Sequence, residues 1–255
     1  MSTDKRCLVT VCHNGPVVFT ETVRSLVELG FGNRVDSAKA AHGFAEIGFY
    51  WAKNFPRVDA MRDSAVDFAK REGFTHVLFL DADMVWPTDT LEQMLRHAAD
   101  PTAIVSGLYV IRTPPYSPVA MGDRFREEGS QVDHFYYALD YGTELIEVDV
   151  VGMGCCLIPL DVFDAIGPRP WFEYKNDDHG WPLVTEDVPF CLKAKAAGYQ
   201  VYLDPTVKCG HAQVQIIDER WHRRYQASMK ASSARVPMTV EVMKSAQPPE
   251  SVTAG

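Results

Sequence analysis

The chain has 255 residues, 46% of them hydrophobic and 23% charged, with a formal net charge of −9. That length can bury one sizeable core, and the acidity disfavours non-specific binding to nucleic acid or an anionic membrane, short of a local basic patch. No run approaches the roughly eighteen apolar residues of a membrane span, and no hydrophobic leader follows residues 1–6. Cys7, Cys12, Cys155, Cys156, Cys191 and Cys209 form no CxxC pair. They read as reduced thiols of a cytoplasmic protein rather than as a zinc site.

Residues 7–12 (CLVTVC) are a continuous apolar run, as in a strand covered on both faces. His13-Asn14-Gly15-Pro16 breaks it, and residues 17–29 follow as an amphipathic helix ended by Gly30. A strand over 44–51 and a helix over 58–71 lead to the most apolar strand, 76–80 (HVLFL), which runs into Asp81-Ala82-Asp83. A helix over 88–97 follows, capped by Thr88 or Asp89. This alternation predicts an α/β fold with a mainly parallel sheet and helices on both faces.

The second half changes character. Residues 103–110 read as a strand before a Pro-rich loop, and 135–139 and 145–151 as strands of a small mixed or antiparallel extension. After Gly152-Met153-Gly154 comes a strand at 155–158 and a short helix at 160–166. Residues 169–184 lack periodicity and read as a long loop, of the kind that is functional or mobile. A helix over 187–197, a strand over 200–203 and a terminal helix over 217–230 complete the pattern. The expected organisation is one domain over 1–235, with a nucleotide-binding half (1–110), an acceptor half (111–212), a terminal helix (213–235) and a flexible tail (236–255).

Three clusters carry chemistry. Residues i and i+2 of an extended segment share a face. Asp81 and Asp83 therefore converge beyond the carboxyl end of a strand, where open α/β sheets bind ligands. Two such carboxylates suit a hard divalent ion, manganese or magnesium; the plainer alternative is that they start a turn or cap a helix. Thr185-Glu186-Asp187 can cap the next helix, or hold a general base at its start. His211, in Cys209-Gly210-His211, is either a structural histidine or a third partner for the two acids.

The joint pattern resembles the GT-A fold glycosyltransferases, especially the family 2 type and its small soluble bacterial and phage relatives. The resemblance spans residues 7–212. It rests on Ala60-Met61-Arg62-Asp63, similar to the family's Ala-Arg-Asn stretch, on residues 76–84 (HVLFLDADM), on 152–158 and 185–191, and on 197–211. One departure is Asp63, where the family usually has Asn.

By position, the resemblance implies Asp81 near the donor ribose and the metal, Asp83 on the metal, and His211 as the other protein ligand. It implies Asp187 as catalytic base in an inverting reaction, with Glu186 second. His13, Asn14 and Gly15 would line the nucleotide pocket, Arg62 would be a donor-side cation, and Gly152 to Gly154 a close-approach loop beside the sugar, against the alternative of a bulge with positive φ. The implied cofactor is Mn²⁺ or Mg²⁺ and the implied partner a nucleotide-sugar donor.

The function so implied is metal-dependent transfer of a sugar to an acceptor hydroxyl. Stereochemistry is open, and so is the acceptor: a glycan, lipid-linked sugar, small molecule, protein or modified nucleic-acid base. An acceptor site would draw on 112–140 and on Trp171, Phe172, Tyr174 and Trp181, which form either a lid over the donor or an apolar cover packed on the domain. One rival is a sugar-nucleotide pyrophosphorylase, disfavoured because His13-Asn14-Gly15-Pro16 lacks a Gly-rich, Arg-bearing phosphate loop. The other is a non-catalytic nucleotide-sugar binding module.

Overall fold

Six consecutive buried residues, Cys7 to Cys12, place the first strand at the centre of the molecule. A computed structural model describes residues 4–13, 18–30, 34–53, 55–125, 133–138, 140–176, 179, 182–214, 219–220, 223 and 237–240. In chain order these form β1 (Lys5–Cys12), α1 (Thr20–Gly30), α2 (Arg34–His42), β2 (Phe44–Ala52), α3 (Val58–Arg71) and β3 (His76–Asp81). Next come β4 (Met84–Val85), α4 (Thr90–Leu95) with a 3-10 turn (Arg96–Ala99), β5 (Ala103–Leu108), β6 (Ala120–Phe125), β7 (Asp133–Tyr137), β8 (Ile146–Val148) and β9 (Val150–Val151). The chain continues through β10 (Cys155–Pro159), α5 (Val162–Ala165), β11 (Lys175–Asn176), β12 (Pro182–Val184), α6 (Asp187–Ala196), β13 (Gln200–Lys208), β14 (Gly210–His211) and β15 (Pro237–Val240).

The main sheet has seven strands in the order β2-β1-β3-β10-β5-β13-β8. β2, β1, β3, β5 and β13 run one way, and β10 and β8 run against them. Alternate residues of β1 serve opposite layers, as the period of two demands. Leu8 and Cys12 join a core with Met61 and Ala65 of α3 and Phe190 of α6. Cys7, Val9 and Val11 join a second core with Leu29 of α1, Ala38 of α2 and Met94 of α4. An antiparallel sheet in the order β15-β7-β6-β9 forms the extension.

The register brings three strand ends level. Cys12 pairs with Ala52 on one side and with Asp81 on the other. Backbone bonds stitch this edge: His13 N donates to Ala52 O (3.1 Å), Ala82 N to Cys12 O (3.0 Å) and Asp81 N to Gly154 O (3.2 Å). Because β10 is antiparallel to β3, its first residues lie beside Asp81.

Several expectations are corrected. α2 is missing from the sequence reading because it buries only Ala38 and so has no apolar stripe. The expected strand over 145–151 divides at Asp149, whose carboxylate accepts from Lys195 Nζ at 2.6 Å; β8 joins the main sheet and β9 the small one. The long loop contains the β11–β12 pair. The strand expected over 200–203 is longer: β13 continues past Pro205 to Lys208 through a register shift. Asp89 stands at the start of α4 without a side-chain capping bond. Residues 237–240, in the stretch expected to be a flexible tail, pair with β7. Of the expected terminal helix, Glu219, Arg220 and Arg223 are helical; its other residues, and 241–255, lie outside the described residues.

Candidate active site at the carboxyl edge of the sheet

Asp81 closes β3, and the chain then turns, so Asp83 no longer continues the extended backbone. The two carboxylates consequently face different partners. Asp81 is held from below by Arg62, whose Nη2 donates to both its oxygens at 2.9 and 3.0 Å. Arg62 Nη1 donates to Glu186. Arg62 is only 3% exposed, and a buried cation persists only when opposite charge surrounds it. Burial opposes its protonation, and Asp81 outweighs that and holds it charged.

Arg62 thus ties the end of β3 to the start of α6, and it is fastened beneath the edge rather than presented to a donor. Glu186 is buried with its carboxylate paired to Arg62.

Asp83 meets His211 and Arg112. His211 Nε2 stands 3.5 Å from Asp83 Oδ2, and Arg112 Nη1 donates to the same oxygen at 2.8 Å. Burial raises the Asp83 carboxyl, but His211 and Arg112 outweigh it and hold the group below the ordinary carboxylate range.

His211 is fixed on three sides. β14 pairs with β4, Ala212 N donates to Asp83 O at 2.7 Å, and the ring meets Tyr109 edge-on at 5.6 Å between centroids. Its Nδ1 lies 2.9 Å from Val110 O. A carbonyl only accepts, so Nδ1 carries a hydrogen; Nε2 faces Asp83, to which it donates when the ring is charged, and it has a lone pair for a cation when the ring is neutral. This carbonyl-anchored tautomer is the arrangement that metal-binding histidines adopt. Asp83 and His211 therefore fit a divalent cation with positions left open. The expected three-ligand set is not gathered: Asp81 is turned to Arg62, and among the described residues no three His, Cys, Asp or Glu side chains cluster for a metal.

Asp187 opens α6 and is partly buried. Its Oδ1 accepts from Thr185 Oγ1 at 2.5 Å and from Val188 N at 3.0 Å. Burial pushes its carboxyl above the ordinary aspartate value, partly offset by the Thr185 bond and the Arg62 charge. A raised carboxyl matches what a general base needs better than an unperturbed one does.

His13 follows β1 with its ring edge-on to Trp51 at 5.9 Å, beside the Cys12–Ala52 pair. Asn14 and Gly15 lie outside the described residues, as does Trp181. Gly152 and Gly154 have no positive φ, so the bulge alternative fails. They are small because Tyr109 lies on them: a Cβ at Gly152 would overlap the Tyr109 hydroxyl, and one at Gly154 would come within 3.0 Å of its ring. Trp171 and Phe172 are core residues rather than a lid, Phe172 stacking on Phe190 at 4.6 Å and meeting Phe79 edge-on at 5.6 Å. Asp63, the residue departing from the family pattern, accepts from Trp171 N (3.2 Å) and Phe172 N (3.1 Å) and so anchors that segment to α3.

Sequence reasoning missed Arg112 and Tyr109. Neither falls in a motif; Tyr109 is visible only as the aromatic residue of an apolar run, and Arg112 only as the charge that ends it.

The sequence profile described as Glycosyl transferase family 2 matches residues 48–167, a span that includes Asp81 and Asp83 and stops before Asp187 and His211. Among solved structures the chain is similar to A197 from STIV, at 19% identity over 84% of this chain and 87% of that one, with a TM-score of 0.52. It is also similar to GalNAc-T7 solved with UDP, GalNAc and Mn²⁺, at 13% identity and a TM-score of 0.51, covering 82% of this chain and 44% of that one. No curated protein matches the sequence. Sheet order and structural neighbours show a GT-A type α/β fold, and the profile match makes the segment that carries Asp81 and Asp83 similar to Glycosyl transferase family 2.

Proposed function

We propose that the chain moves a sugar from a nucleotide-diphosphate donor to an acceptor hydroxyl, with a divalent cation held by Asp83 and His211 and with Asp187 as the base. The observation that carries this reading is the Asp83–His211 pair, with Nδ1 of the histidine spent on Val110 O and Nε2 left facing the carboxylate. GalNAc-T7 was solved with UDP, GalNAc and Mn²⁺, which supports a nucleotide-sugar donor and manganese as the first ion to test, with magnesium second.

When bound, such an ion supplies positive charge against the departing diphosphate without a proton donor. The chain supplies the rest. Asp81, locked in orientation by Arg62, presents its exposed edge to the donor ribose. His13, next to the adjoining strand end, lines the nucleotide side. Asp187 takes the proton of the attacking hydroxyl if the reaction inverts, and positions that hydroxyl if it retains. Glu186 holds the start of α6 to Arg62, so the base and the donor acids keep their spacing. Gly152 and Gly154 act through Tyr109, which backs His211.

Asp83→Ala is expected to lower Mn²⁺-dependent donor turnover by at least about a hundredfold, beyond the range of losses seen for groups that merely orient a ligand. Its melting temperature should stay near that of the parent, because Asp83 is a partly exposed turn residue. Full turnover by this variant with Mn²⁺ present would remove the cation assignment. A thermal-shift panel of nucleotide sugars with Mn²⁺ identifies the donor.

A further inference from the structure

Two groups of opposite use converge on one oxygen. Asp83 Oδ2 accepts from Arg112 Nη1 at 2.8 Å and lies 3.5 Å from His211 Nε2. A cation shared by Asp83 and His211 has to sit against that oxygen, where the guanidinium already is. We propose that Arg112 is a displaceable internal cation: it covers Asp83 until a divalent ion enters, then turns its guanidinium onto the diphosphate that arrives with the ion. This rests on the reading of Asp83 and His211 given above.

Three features support the exchange. The Arg112 side chain is 44% exposed and the Asp83 side chain 30%, so their pair is solvent-screened and gives way to a doubly charged competitor. Asp83 is the only ion-pair partner of Arg112 among the described residues, so leaving it breaks no second contact. The backbone beneath Arg112 is fixed, so only the side chain has to move. Ile111 N donates to Ser117 O at 2.9 Å, Val110 bridges to Pro118, and Val110 O is the acceptor for His211 Nδ1.

The guanidinium is therefore tethered two residues from the carbonyl that orients His211, within reach of whatever binds there. Its planar fork suits paired phosphate oxygens, to which it can donate bidentately. No covalent step is involved; one cation replaces another on a carboxylate.

The test is calorimetric and needs no turnover. Mn²⁺ is titrated into the parent chain, Arg112→Gln and Arg112→Lys, and inorganic pyrophosphate is then titrated into each Mn²⁺-saturated protein. Removing a competing charge from one ligand and a binding charge from the other is expected to act in opposite directions, each by about tenfold. Arg112→Gln should bind Mn²⁺ more tightly and pyrophosphate more weakly than the parent, with Arg112→Lys between them and all three melting together.

Mn²⁺ affinity unchanged or weakened in Arg112→Gln would overturn the displacement while leaving the cation site standing. Tighter Mn²⁺ with unaltered pyrophosphate would overturn the transfer onto the diphosphate. No Mn²⁺ binding by parent or variants would overturn both this inference and the cation reading on which it rests.

Discussion

Asp187 combines a partly buried carboxylate, a hydroxyl neighbour and the first turn of a helix. The helix start and Thr185 stabilise the charged form, but burial prevails and the carboxyl is raised. For catalysis, the acid limb of the rate profile should then lie above the ordinary aspartate value of about 3.9, because the base works only once its proton has left. For stability the sign is opposite to that of a salt-bridged acid. A raised carboxyl favours the folded state at low pH, and that contribution is lost as pH rises through the folded value. Asp187→Asn should therefore melt no lower than the parent near neutral pH. It should also keep donor binding and lose transfer by about 10²- to 10⁴-fold, the usual contribution of a positioned base. Transfer at the parental rate, measured with a donor identified by thermal shift, would exclude Asp187 as the base.

Between elements, a few polar side chains do what apolar packing alone does not. Asp63 of α3 accepts two consecutive amide hydrogens, those of Trp171 and Phe172, and thereby seats both rings in the core shared with Phe79, Phe163 and Phe190. Removing the acceptor leaves two buried N–H groups unsatisfied, each costing about 1–3 kcal/mol. Asp63→Ala should accordingly lose about 2–4 kcal/mol in urea denaturation, whereas Asp63→Asn, which keeps a carbonyl oxygen in place, should lose much less. Equal losses for the two variants would show that the charge, and not the acceptor, holds the segment. The same pair of bonds explains why this region reads as an irregular loop: its order comes from a residue more than a hundred positions away. Elements with their own periodicity were legible. The helix over Val58–Arg71 matches to the residue, and the strands around Leu8, Leu78 and Leu157 match closely, because each buries a continuous run. α2, β14 and β15 were not, since two short strands and a helix with one buried residue leave no pattern in the chain.

At the scale of the molecule, the types of site residue were readable and their pairings were not. The strand-end location of Asp81 follows from HVLFLD, but its commitment to Arg62, and that of Glu186, depends on α3 and α6 meeting over the same sheet edge. The His211 tautomer depends on a backbone carbonyl, Val110 O, which no sequence pattern displays. The far side of the sheet is joined by a comparable device.

Asp204 of β13 is buried. Its Oδ2 accepts from Arg96 Nη2 (2.6 Å) and lies 2.8 Å from His97 Nε2, while its Oδ1 accepts from Thr206 N (2.9 Å) and Thr206 Oγ1 (2.6 Å). It thus links the 3-10 turn after α4 to the strand at the point where the register shifts. Burial raises this carboxyl, but the bonds from His97, Thr206 and Arg96 outweigh burial and hold it far below the ordinary range. A depressed acid stabilises the fold at pH above its unfolded value of about 3.9, and that contribution is lost as pH falls below it toward the folded value. Asp204→Asn keeps the shape and removes the charge. At pH 7 it should cost about 2–4 kcal/mol, as for breaking a buried charged pair with one exposed partner. Urea denaturation at pH 7 and near pH 3 should show the gap between parent and variant narrowing at the lower pH, where the unfolded parent takes up the proton that the folded parent still excludes. A gap of equal size at both values would mean that Asp204 acts through its shape alone, and that the join between α4 and β13 owes nothing to its ionisation.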